Sequence, residues 1–420
     1  MMHGYTGKLL RVNLSDGKIS VESLEEDIAR KYLGGSGLAA RIIYDEVSPQ
    51  TAPFNPENRL VFMTGPVTGT LAPSFGRFAV CTRSPLTGIW AESHAAGFWG
   101  PELKFAGYDG IIIQGKAESP VYLWIRDGEA EIRRAEHLWG MDTYETETRI
   151  RQELGDEKVQ VAAIGDAGER LVKFAAVVHD KGRVAGRCGT GAVMGSKMLK
   201  AVAVRGTKLS TIPSAREEML KNFLKRIYIT IRSHPTVQIY ASYGTDGILA
   251  MMHEYGDTPI KYFTRGEWAE GVEKITGETM AKKILVRQKA CYRCPIVCRR
   301  HVRVSEGPYA MEGEGPEYET AASLGALCLN DNLESLAKAN ELCNKYGIDT
   351  ISTGNAIAFA MECHEKGLIT EEDTDGIQLA WGDHQAIIEM IHKIGKREGF
   401  GNLLAEGVKR AAEKIGRGAE

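Results

Sequence analysis

The chain has 420 residues, of which 43% are hydrophobic and 25% charged, and its net charge is −3. These values are typical of a soluble globular protein, and the length predicts two or three domains. The net charge gives no indication of a basic surface, so we do not expect nucleic acid as a partner. No apolar run approaches the ~20 residues that span a bilayer, so we do not expect a membrane either.

The first ~205 residues are predicted to be mainly β-structure, since short aliphatic or β-branched runs alternate with turn residues. The predicted strands are residues 8–14, 110–114, 121–126, 130–133, 159–164, 174–178 and 201–205. Asp127-Gly128-Glu129 is predicted to close a hairpin between two of them. Two short helices are expected at 24–32 and 143–154.

After Thr207 the pattern becomes mainly helical. Ser214 and Glu217 have capping-box spacing, and helices are predicted at 333–346, 352–366 and 384–396. Helix starts are expected at Thr370-Glu-Glu-Asp and at Asp383. The predicted fold class is therefore α+β, with a β-rich domain at 1–210 and a mainly helical domain at 211–420.

Three of the eight cysteines form the run Cys291-Tyr-Arg-Cys294-Pro-Ile-Val-Cys298. The N-terminus shows no signal peptide, so clustered cysteines are expected to bind metal rather than to form disulfides. This spacing lets one loop aim three thiolates at one centre, as iron–sulfur proteins do. A structural zinc site completed by His301 is the main alternative, and the spacing alone favours the cluster.

The segment Arg183-Val-Ala-Gly186-Arg187 combines glycine and arginine, which suits close approach to a phosphate. The loops Pro73-Ser-Phe-Gly-Arg77 and His94-Ala-Ala-Gly97 are weaker examples of the same pattern. A turn-rich connection between strands, with His94 as a packed structural residue, is the alternative interpretation.

The run Glu312-Gly-Glu-Gly-Pro-Glu-Tyr318-Glu319 is acidic and lies ~20 residues beyond the cysteines. A carboxylate near a metal-bound oxygen can act as a general base, whereas the alternative is a solvated acidic turn. The segment Asn344-Lys-Tyr-Gly347-Ile-Asp349-Thr350 places glycine where a helix is expected to end.

Together these motifs resemble the aldehyde:ferredoxin oxidoreductase family of tungstopterin enzymes, along essentially the whole chain. The matching segments are Gly4-Tyr-Thr-Gly-Lys-Leu-Leu-Arg-Val-Asn-Leu-Ser, Glu102-Leu-Lys-Phe-Ala-Gly-Tyr-Asp109, Gly191-Ala-Val-Met-Gly-Ser-Lys197 and Glu314-Gly-Pro-Glu-Tyr-Glu319. Because several long segments match in the family's order, the resemblance implies a [4Fe–4S] cluster rather than zinc.

The resemblance implies an N-terminal β-domain that forms a base for two pterins bound to tungsten or molybdenum, with Mg²⁺ between their phosphates. It assigns the three cysteines to the cluster, Glu319 to a position beside the tungsten as the base, and Tyr318 as its neighbour. The implied cofactor-binding residues are Arg77, His94, Ala95, Ala96, Gly97, Arg183, Val184, Gly186, Arg187, Asn344, Gly347, Ile348, Asp349 and Thr350.

The implied activity is the oxidation of an aldehyde to a carboxylic acid, with electrons passing through the cluster to ferredoxin or another electron-transfer subunit. A cytoplasmic, anaerobic setting follows from the same resemblance, and a homo-oligomer is compatible with it. A tungstopterin reductase of aromatic thioesters is an alternative activity.

Several positions depart from the family pattern. Asn344 replaces an aspartate, His94 an asparagine and Cys188 a common glycine, and Lys338-Ala-Asn-Glu341 replaces an E-x-x-H pattern that binds metal between subunits in some relatives. The chain also stops about where the third domain of the family begins, a domain expected to carry the fourth cluster cysteine. A non-catalytic fragment or binding subunit that needs a separate C-terminal domain is therefore the second hypothesis.

Overall fold

The computed structural model describes residues 2–209 and 211–420. These residues confirm the α+β class, with β-sheets concentrated in the first half and helices in the second. They form two compact units. One reaches Leu171 and also contains Ala175–Ile231 and Cys291–Pro295, while the other contains Val172–Phe174, Arg232–Ala290 and Ile296–Glu420. The first unit extends past the predicted boundary near 210, and the division into functional domains stays a prediction.

The first sheet of the described residues has the strand order β2-β1-β6-β3-β4-β5. Its strands are β1 (Lys8–Asn13), β2 (Lys18–Ser23), β3 (Leu60–Thr64), β4 (Phe78–Arg83), β5 (Trp90–Ala95) and β6 (Gly110–Gln114). Only the β1–β6 pair is parallel among the described strands of this sheet. The three isoleucines of β6 are buried because this central strand is covered on both faces.

The second sheet of the same unit has the order β11-β10-β9-β12-β7-β8 within the described part of the chain. Its strands are β7 (Val121–Arg126), β8 (Glu129–Arg134), β9 (Gln160–Ala163), β10 (Val177–His179), β11 (Arg183–Ala185) and β12 (Leu199–Arg205). Buried apolar residues from both sheets form one cluster. Trp99 lies fully buried in it, and its indole N–H donates to the carbonyl of Val202 at 3.0 Å.

The helices that begin in this unit are α1 (Glu26–Tyr32), α2 (Gly35–Glu46), α3 (Trp99–Phe105), α4 (Thr143–Leu154), α5 (Asp166–Glu169), α6 (Thr190–Ser196) and α7 (Glu217–Ser233). Asp142 caps α4 with a capping box that includes Glu145, which explains why the sequence places this helix so well. Among the described residues, no helix combines the length and the hydropathy needed to cross a bilayer.

The second unit contains a three-stranded antiparallel sheet of β13 (Leu285–Lys289), β14 (Arg299–Val304) and β15 (Met311–Glu314). Its helices are α8 (Pro235–Tyr243), α9 (Leu249–Glu254), α10 (Ala269–Ile275), α11 (Gly277–Lys283), α12 (Tyr318–Thr320), α13 (Leu333–Tyr346), α14 (Thr350–Glu365), α15 (His384–Lys396), α16 (Phe400–Leu404) and α17 (Val408–Ile415). The apolar faces of α13 and α15 pack together in its core.

Three local predictions were wrong. Thr370 starts a run of turns and not a helix, although its backbone N–H and hydroxyl both donate to Asp373 Oδ2, at 2.9 and 3.1 Å. The strand expected at 174–178 is present only as Val177–His179. Helix α7 begins at Glu217 itself, so this residue does not stand three positions inside a helix capped by Ser214.

Candidate functional site

The cysteine run forms the loop between β13 and β14. The N–H of Cys294 donates to the carbonyl of Cys291 at 3.1 Å, and Arg293 and Val297 adopt left-handed backbone conformations with φ of 46° and 57°. These bends let the loop change direction twice within eight residues. All three cysteines remain partly exposed, so their thiols are accessible to a ligand.

Four other cysteines, Cys81, Cys328, Cys343 and Cys363, are buried. Burial raises the pKa of Cys328 to about 12 and that of Cys363 to about 11. Cys343 and Cys363 lie on the core faces of α13 and α14, as the sequence suggested. These four thiols are packed side chains, and their chemistry differs from that of the loop cysteines.

The N-terminal part of the cysteine loop packs within the first unit. The N–H of Tyr292 donates to the carbonyl of Gly97 at 3.2 Å, and its ring meets the edge of Phe105 at 5.9 Å between centroids. The N–H of Ser74 donates to the carbonyl of Arg293 at 3.3 Å, and Ser74 Oγ lies 3.3 Å from Cys294 Sγ. The structure therefore brings together the cysteine loop and two of the predicted anion-binding loops.

The geometry disfavours zinc. The Nε2 atom of His301 lies 2.9 Å from Glu312 Oε1, so only its Nδ1 atom is left without a hydrogen-bond partner in the described residues. Sulfurs around one tetrahedral zinc lie about 3.8 Å apart, since each is ~2.3 Å from the metal. Within the described residues no three His, Cys, Asp or Glu side chains gather in this way. A cluster binds each thiolate through a different iron and accepts more widely spaced cysteines, so these residues fit it better.

The arginines around the run have separate partners. Arg299 is buried and forms an ion pair with the buried Glu314 at 2.8 Å, and Arg303 pairs with Glu312. Arg300 donates to the carbonyls of Ala241 and Ser242 at 3.0 and 2.8 Å and so holds the end of α8. Arg299 and Arg300 thus build the frame of the loop, whereas Arg293 and Arg303 are exposed.

The predicted phosphate-binding loops lie side by side in the first unit. A Cβ atom on Gly97 would lie 2.6 Å from His179 Cε1 and 3.3 Å from Arg183 Cγ, so glycine is required for this close approach. The N–H of Arg187 donates to Ser93 Oγ at 3.0 Å. Arg77 is exposed, and no carboxylate pairs with its guanidinium in the described part of the chain. This arrangement fits a ligand with several anionic groups.

The side chain of His94 lies on the other side of β5. Strand alternation buries Ser93 and Ala95 and exposes His94, whose Nε2 atom lies 3.2 Å from Ser36 Oγ and 3.4 Å from Glu92 Oε1. Since Ser93 faces Arg187, the imidazole of His94 points away from that contact. Of the His94–Gly97 loop, the backbone therefore fits a ligand better than the histidine ring does.

In the second unit, some carboxylates of the acidic segment have partners within the fold, and one is available to a ligand. Glu314 is neutralised by Arg299 and Lys289. Glu317 Oε2 accepts from the hydroxyl of Thr245 at 2.8 Å, while Glu319 is exposed. Burial, reinforced by the negative charge of Glu319, raises the pKa of Tyr318. Glu319 is thus the carboxylate of this run that is free to face a substrate.

The segment after Glu319 is a π-helical turn, Ala321–Gly325, which is buried throughout. Such turns are frequent at functional sites. Thr320 Oγ1 lies 2.9 Å from Thr350 Oγ1, and a Cβ on Gly354 would be 2.4 Å from the carbonyl of Ser323. The structure therefore brings Tyr318 and Glu319 next to the predicted pterin motif at Asn344–Thr350.

That motif joins two helices. Gly347 ends α13 with φ of 68°, and Asp349 caps α14 by accepting from the N–H groups of Ile351 and Ser352 at 3.3 and 3.0 Å. Asn344 and Asp349 are both buried. Glu341, which stands at the histidine position of the E-x-x-H pattern, is paired with Lys338 and Lys345 at 2.7 and 3.2 Å. The carboxylate of Glu341 is therefore already engaged by two lysines of its own helix.

Two residues at these places were missed by the sequence analysis. His179 is 1% exposed, packs against Phe78 at 5.3 Å between centroids and touches Gly97, at the junction of the anion-binding loops. Asp246 is fully buried beside the Glu317–Tyr318 segment. Neither stands in a motif, and a lone His or Asp in a sequence gives no sign of its burial.

Comparisons with known proteins follow the same division of the chain. Residues 9–206 match the N-terminal domain model of the aldehyde ferredoxin oxidoreductase family, and residues 222–420 match its model of domains 2 and 3. The chain thus carries sequence from the C-terminal part of the family as well, while the predicted lack of a third domain stays a prediction.

Individual relatives agree with the family models. The tungsten-containing aldehyde ferredoxin oxidoreductase of Pyrococcus furiosus is 48% identical over 99% of this chain and 68% of its own length. An aliphatic sulfonate oxidoreductase, WOR-like subunit, of the same organism is 34% identical over the same shares. The solved active site complex BamBC of benzoyl coenzyme A reductase with 1,5-dienoyl-CoA superposes with a TM-score of 0.88 at 34% identity. That match covers 100% of this chain and 64% of the other.

The matched segments therefore include both the β-rich base with its anion-binding loops and the segments that carry the cysteines, Glu319 and Asn344–Thr350. The order and extent of these matches leave one assignment, and the chain belongs to the aldehyde ferredoxin oxidoreductase family.

Proposed function

We propose that this protein oxidises aldehydes to carboxylic acids at a tungstopterin centre and passes the electrons through a [4Fe–4S] cluster to ferredoxin. The observation that carries the proposal is the placement of Tyr318 and Glu319 beside Asn344–Thr350, through the contact of Thr320 with Thr350. The 48% identity to a tungsten-containing aldehyde ferredoxin oxidoreductase supports the same activity.

The reaction converts an aldehyde and water into a carboxylic acid, two protons and two electrons. A tungstopterin, when bound, supplies the two-electron acceptor for this step. Glu319 takes a proton from the water that becomes part of the product, since its exposed carboxylate is available as a base. Tyr318, whose pKa is raised by burial, stays protonated and donates a hydrogen bond toward the substrate oxygen.

The cofactor-binding role is assigned to the loops around Gly97. Arg77, Arg183 and Arg187 hold the pterin phosphates, with Mg²⁺ as an additional counter-ion, since guanidinium forks match phosphate geometry. The carboxylate of Asp349 already caps α14. We therefore assign the pterin contact of this motif to Asn344 and to the backbone of 347–350.

Cys291, Cys294 and Cys298 provide three ligands of the cluster. The fourth is not one of the buried cysteines of the helices, whose thiols are packed in the core. Electrons leave one at a time to ferredoxin or to another electron-transfer subunit. We also propose a cytoplasmic location, because thiol ligands of this kind persist in a reducing compartment.

A reductase of an aromatic thioester is the second candidate, favoured by the superposition on the benzoyl coenzyme A reductase complex. The third is the fragment or binding subunit of the sequence analysis; the chain spans 68% of the length of its aldehyde-oxidising relative. The lower identity of the reductase, 34% against 48%, places aldehyde oxidation first.

The test is anaerobic purification of the protein, followed by metal analysis and assays with aliphatic and aromatic aldehydes and with an aromatic thioester. We expect tungsten and iron in the protein and aldehyde-dependent reduction of ferredoxin or a viologen dye. Glu319→Gln should abolish turnover and leave both metals in place, whereas Glu312→Gln, on the surface in an ion pair with Arg303, should remain active. Thioester reduction without aldehyde oxidation would instead support the second candidate, and a protein without metals the third.

A further inference from the structure

Arg293 is an exposed arginine that stands directly before Cys294, one of the proposed cluster ligands. Its Nε atom donates to the hydroxyl of Tyr292 at 3.1 Å, and its guanidinium carbon lies 5.6 Å from the centroid of the same ring. No carboxylate pairs with Arg293 in the described part of the chain, whereas the exposed Arg303 pairs with Glu312. The charge of Arg293 is therefore held in place without being neutralised.

Tyr292 fixes the position of this charge. Its N–H donates to the carbonyl of Gly97 at 3.2 Å, and its hydroxyl donates to the carbonyl of Gly69 at 3.4 Å. The backbone of Arg293 is held as well, since its carbonyl accepts from the N–H of Ser74 at 3.3 Å. A side chain on a backbone that is already fixed loses less conformational freedom when a partner binds to it.

Phe75 is a second exposed side chain at this place. It follows Ser74, whose Oγ atom lies 3.3 Å from Cys294 Sγ, and it is 51% exposed. The next residue, Gly76, packs against the cysteine loop, since a Cβ atom there would lie 3.2 Å from Tyr292 Cβ. An exposed phenylalanine and an exposed arginine thus stand next to the two members of the Ser74–Cys294 contact. Aromatic residues and arginine are enriched in protein interfaces and carry much of their binding energy.

The sequence around this contact is positive. Residues 279–305, which include the cysteine run, contain eight lysines and arginines and no acidic residue, although the net charge of the whole chain is −3. The loop of residues 65–77 has no acidic residue either, and its one arginine, Arg77, is assigned to the pterin phosphates. A partner attracted to this region is therefore acidic at its contact surface, because opposite charges steer two proteins together and like charges keep them apart.

We propose that Phe75 and Arg293 form the docking patch for an acidic one-electron carrier of the ferredoxin type. The proposal rests on the proposed function, in which the electrons of aldehyde oxidation reach the loop that contains Cys294. A carboxylate of the carrier pairs with Arg293, and an apolar group at its contact surface packs on Phe75. Each encounter transfers one electron to an oxidised carrier, so two encounters remove the two electrons released by one aldehyde. Docking beside Cys294 keeps the path short, because the rate of electron transfer falls steeply with distance.

Titration calorimetry of the holoprotein with a purified acidic ferredoxin tests the patch in the absence of aldehyde. We expect Arg293→Gln to raise the Kd about tenfold at low salt and less at high salt, where ions already screen the charge contact of the wild type. Phe75→Ala should raise the Kd about fivefold at both salt concentrations, because an apolar contact is not screened. The control is Arg134→Gln, which removes one positive charge from the outer strand β8 and should bind as the wild type does. Wild-type affinity in both patch variants overturns the proposal, and so does an equal loss in the control.

The rate of aldehyde oxidation separates docking from an effect on the cofactors. With ferredoxin as the limiting acceptor, Arg293→Gln should lose about tenfold more of the wild-type rate than it loses with a small viologen dye, which needs no docking surface. Arg293→Lys keeps the charge and should recover most of the ferredoxin-linked rate. An equal loss with both acceptors overturns docking, since the substitution then acts on the cofactors.

The two measurements also distinguish failure of the patch from failure of the proposed function. If the protein oxidises no aldehyde but its ferredoxin binding depends on Arg293 and Phe75, the proposed function is wrong and the patch is supported. An active wild type whose Arg293 and Phe75 variants bind and reduce ferredoxin normally overturns the patch alone.

Discussion

The Oγ atom of Ser74 lies 3.3 Å from the Sγ atom of Cys294, although 220 residues separate them in the chain. Both belong to the first compact unit, where the cysteine loop packs beside Gly97. A serine hydroxyl so close to a cluster ligand can donate a hydrogen bond to the thiolate. Hydrogen bonds to cluster sulfurs are one of the means by which proteins set the reduction potential.

We therefore predict that Ser74→Ala lowers the midpoint potential of the cluster, because the negative charge on the Cys294 thiolate loses a stabilising donor. The measurement is a redox titration followed by electron paramagnetic resonance. Ser36→Ala, which removes a hydroxyl near His94 and far from the loop in sequence, serves as the control and should leave the potential unchanged. A potential that does not move in Ser74→Ala would show that Cys294 is not ligated as proposed.

The iron content of cysteine variants should distinguish the loop cysteines from the buried ones. Cys298→Ala is expected to lower the iron and labile sulfide content, because it removes one of the three thiolates that the loop presents. Cys343→Ala is the matched control, since Cys343 is fully buried on α13. It should retain its iron and lose roughly 1–3 kcal/mol of stability. Equal iron content in both variants argues against a cluster in this loop.

The ion pair of Lys104 and Asp109 should be a major contribution to the stability of the first unit. The charged atoms are 3.2 Å apart, and the side chains are 0% and 2% exposed. Asp109 also accepts from the N–H and the hydroxyl of Thr6. Lys104→Met leaves a buried carboxylate without its cation, which we expect to lower the free energy of unfolding by about 3–5 kcal/mol.

The measurement for this pair is chemical denaturation at constant pH. The control is Arg30→Met, which breaks an exposed pair with Glu26 whose side chains are 78% and 60% accessible. That change should cost less than about 0.5 kcal/mol. A loss for Lys104→Met no larger than that of the control contradicts the prediction.

Local sequence patterns explain which parts of the fold could be predicted. Helix α4 carries its capping box, α13 and α15 have helix-period apolar faces, and the three isoleucines of β6 are typical of a buried strand. The β13–β15 sheet was missed because β13 is mostly exposed and rich in charged residues. Its pairing partner, β14, follows the cysteine loop, so only the fold brings these two strands together.

The candidate site, too, could be predicted only where its residues are adjacent in the sequence. The cysteine run and the Glu319 segment are visible as motifs, because their residues are adjacent in the chain. The contact of Thr320 with Thr350 and the burial of Asp246 depend on packing between distant segments, so the spacing of residues in the sequence does not predict them. His94 illustrates the reverse case. Its loop was found, but the direction of its side chain follows from the alternation of β5.

Cys188 should be replaceable by glycine with a gain in stability. It has a left-handed backbone with φ of 69°, a conformation that costs a non-glycine residue about 1–2 kcal/mol. Glycine removes this strain but makes the unfolded chain more flexible, so we expect a net gain of about 1 kcal/mol at most. Cys188→Val, with a β-branched side chain in the same conformation, should lower the melting temperature. A valine variant as stable as the glycine variant contradicts the assigned backbone strain.

Lys197 should make the stability of the first unit depend on pH in the alkaline range. It is 1% exposed, and its Nζ atom donates to the carbonyls of Pro56 and Gly115 at 3.0 and 3.2 Å. Burial lowers its pKa to about 7. Between pH 7 and about 10 the unfolded chain, with an ordinary lysine pKa, therefore binds more protons than the folded protein. The free energy of unfolding must rise with pH across that window, by at most about 1.4 kcal/mol per pH unit from this group.

Lys197→Met removes the titrating group and keeps much of its length, so the difference in unfolding free energy between wild type and variant should grow in favour of the wild type from pH 7 to about 10. Urea denaturation at several pH values measures this difference directly. The exposed Lys18→Met variant should follow the wild type at each pH, since its ammonium group is in water in both states. If Lys197→Met shows the same slope as the wild type, Lys197 keeps its proton in the fold. Its two carbonyl contacts then outweigh the burial that lowers its pKa.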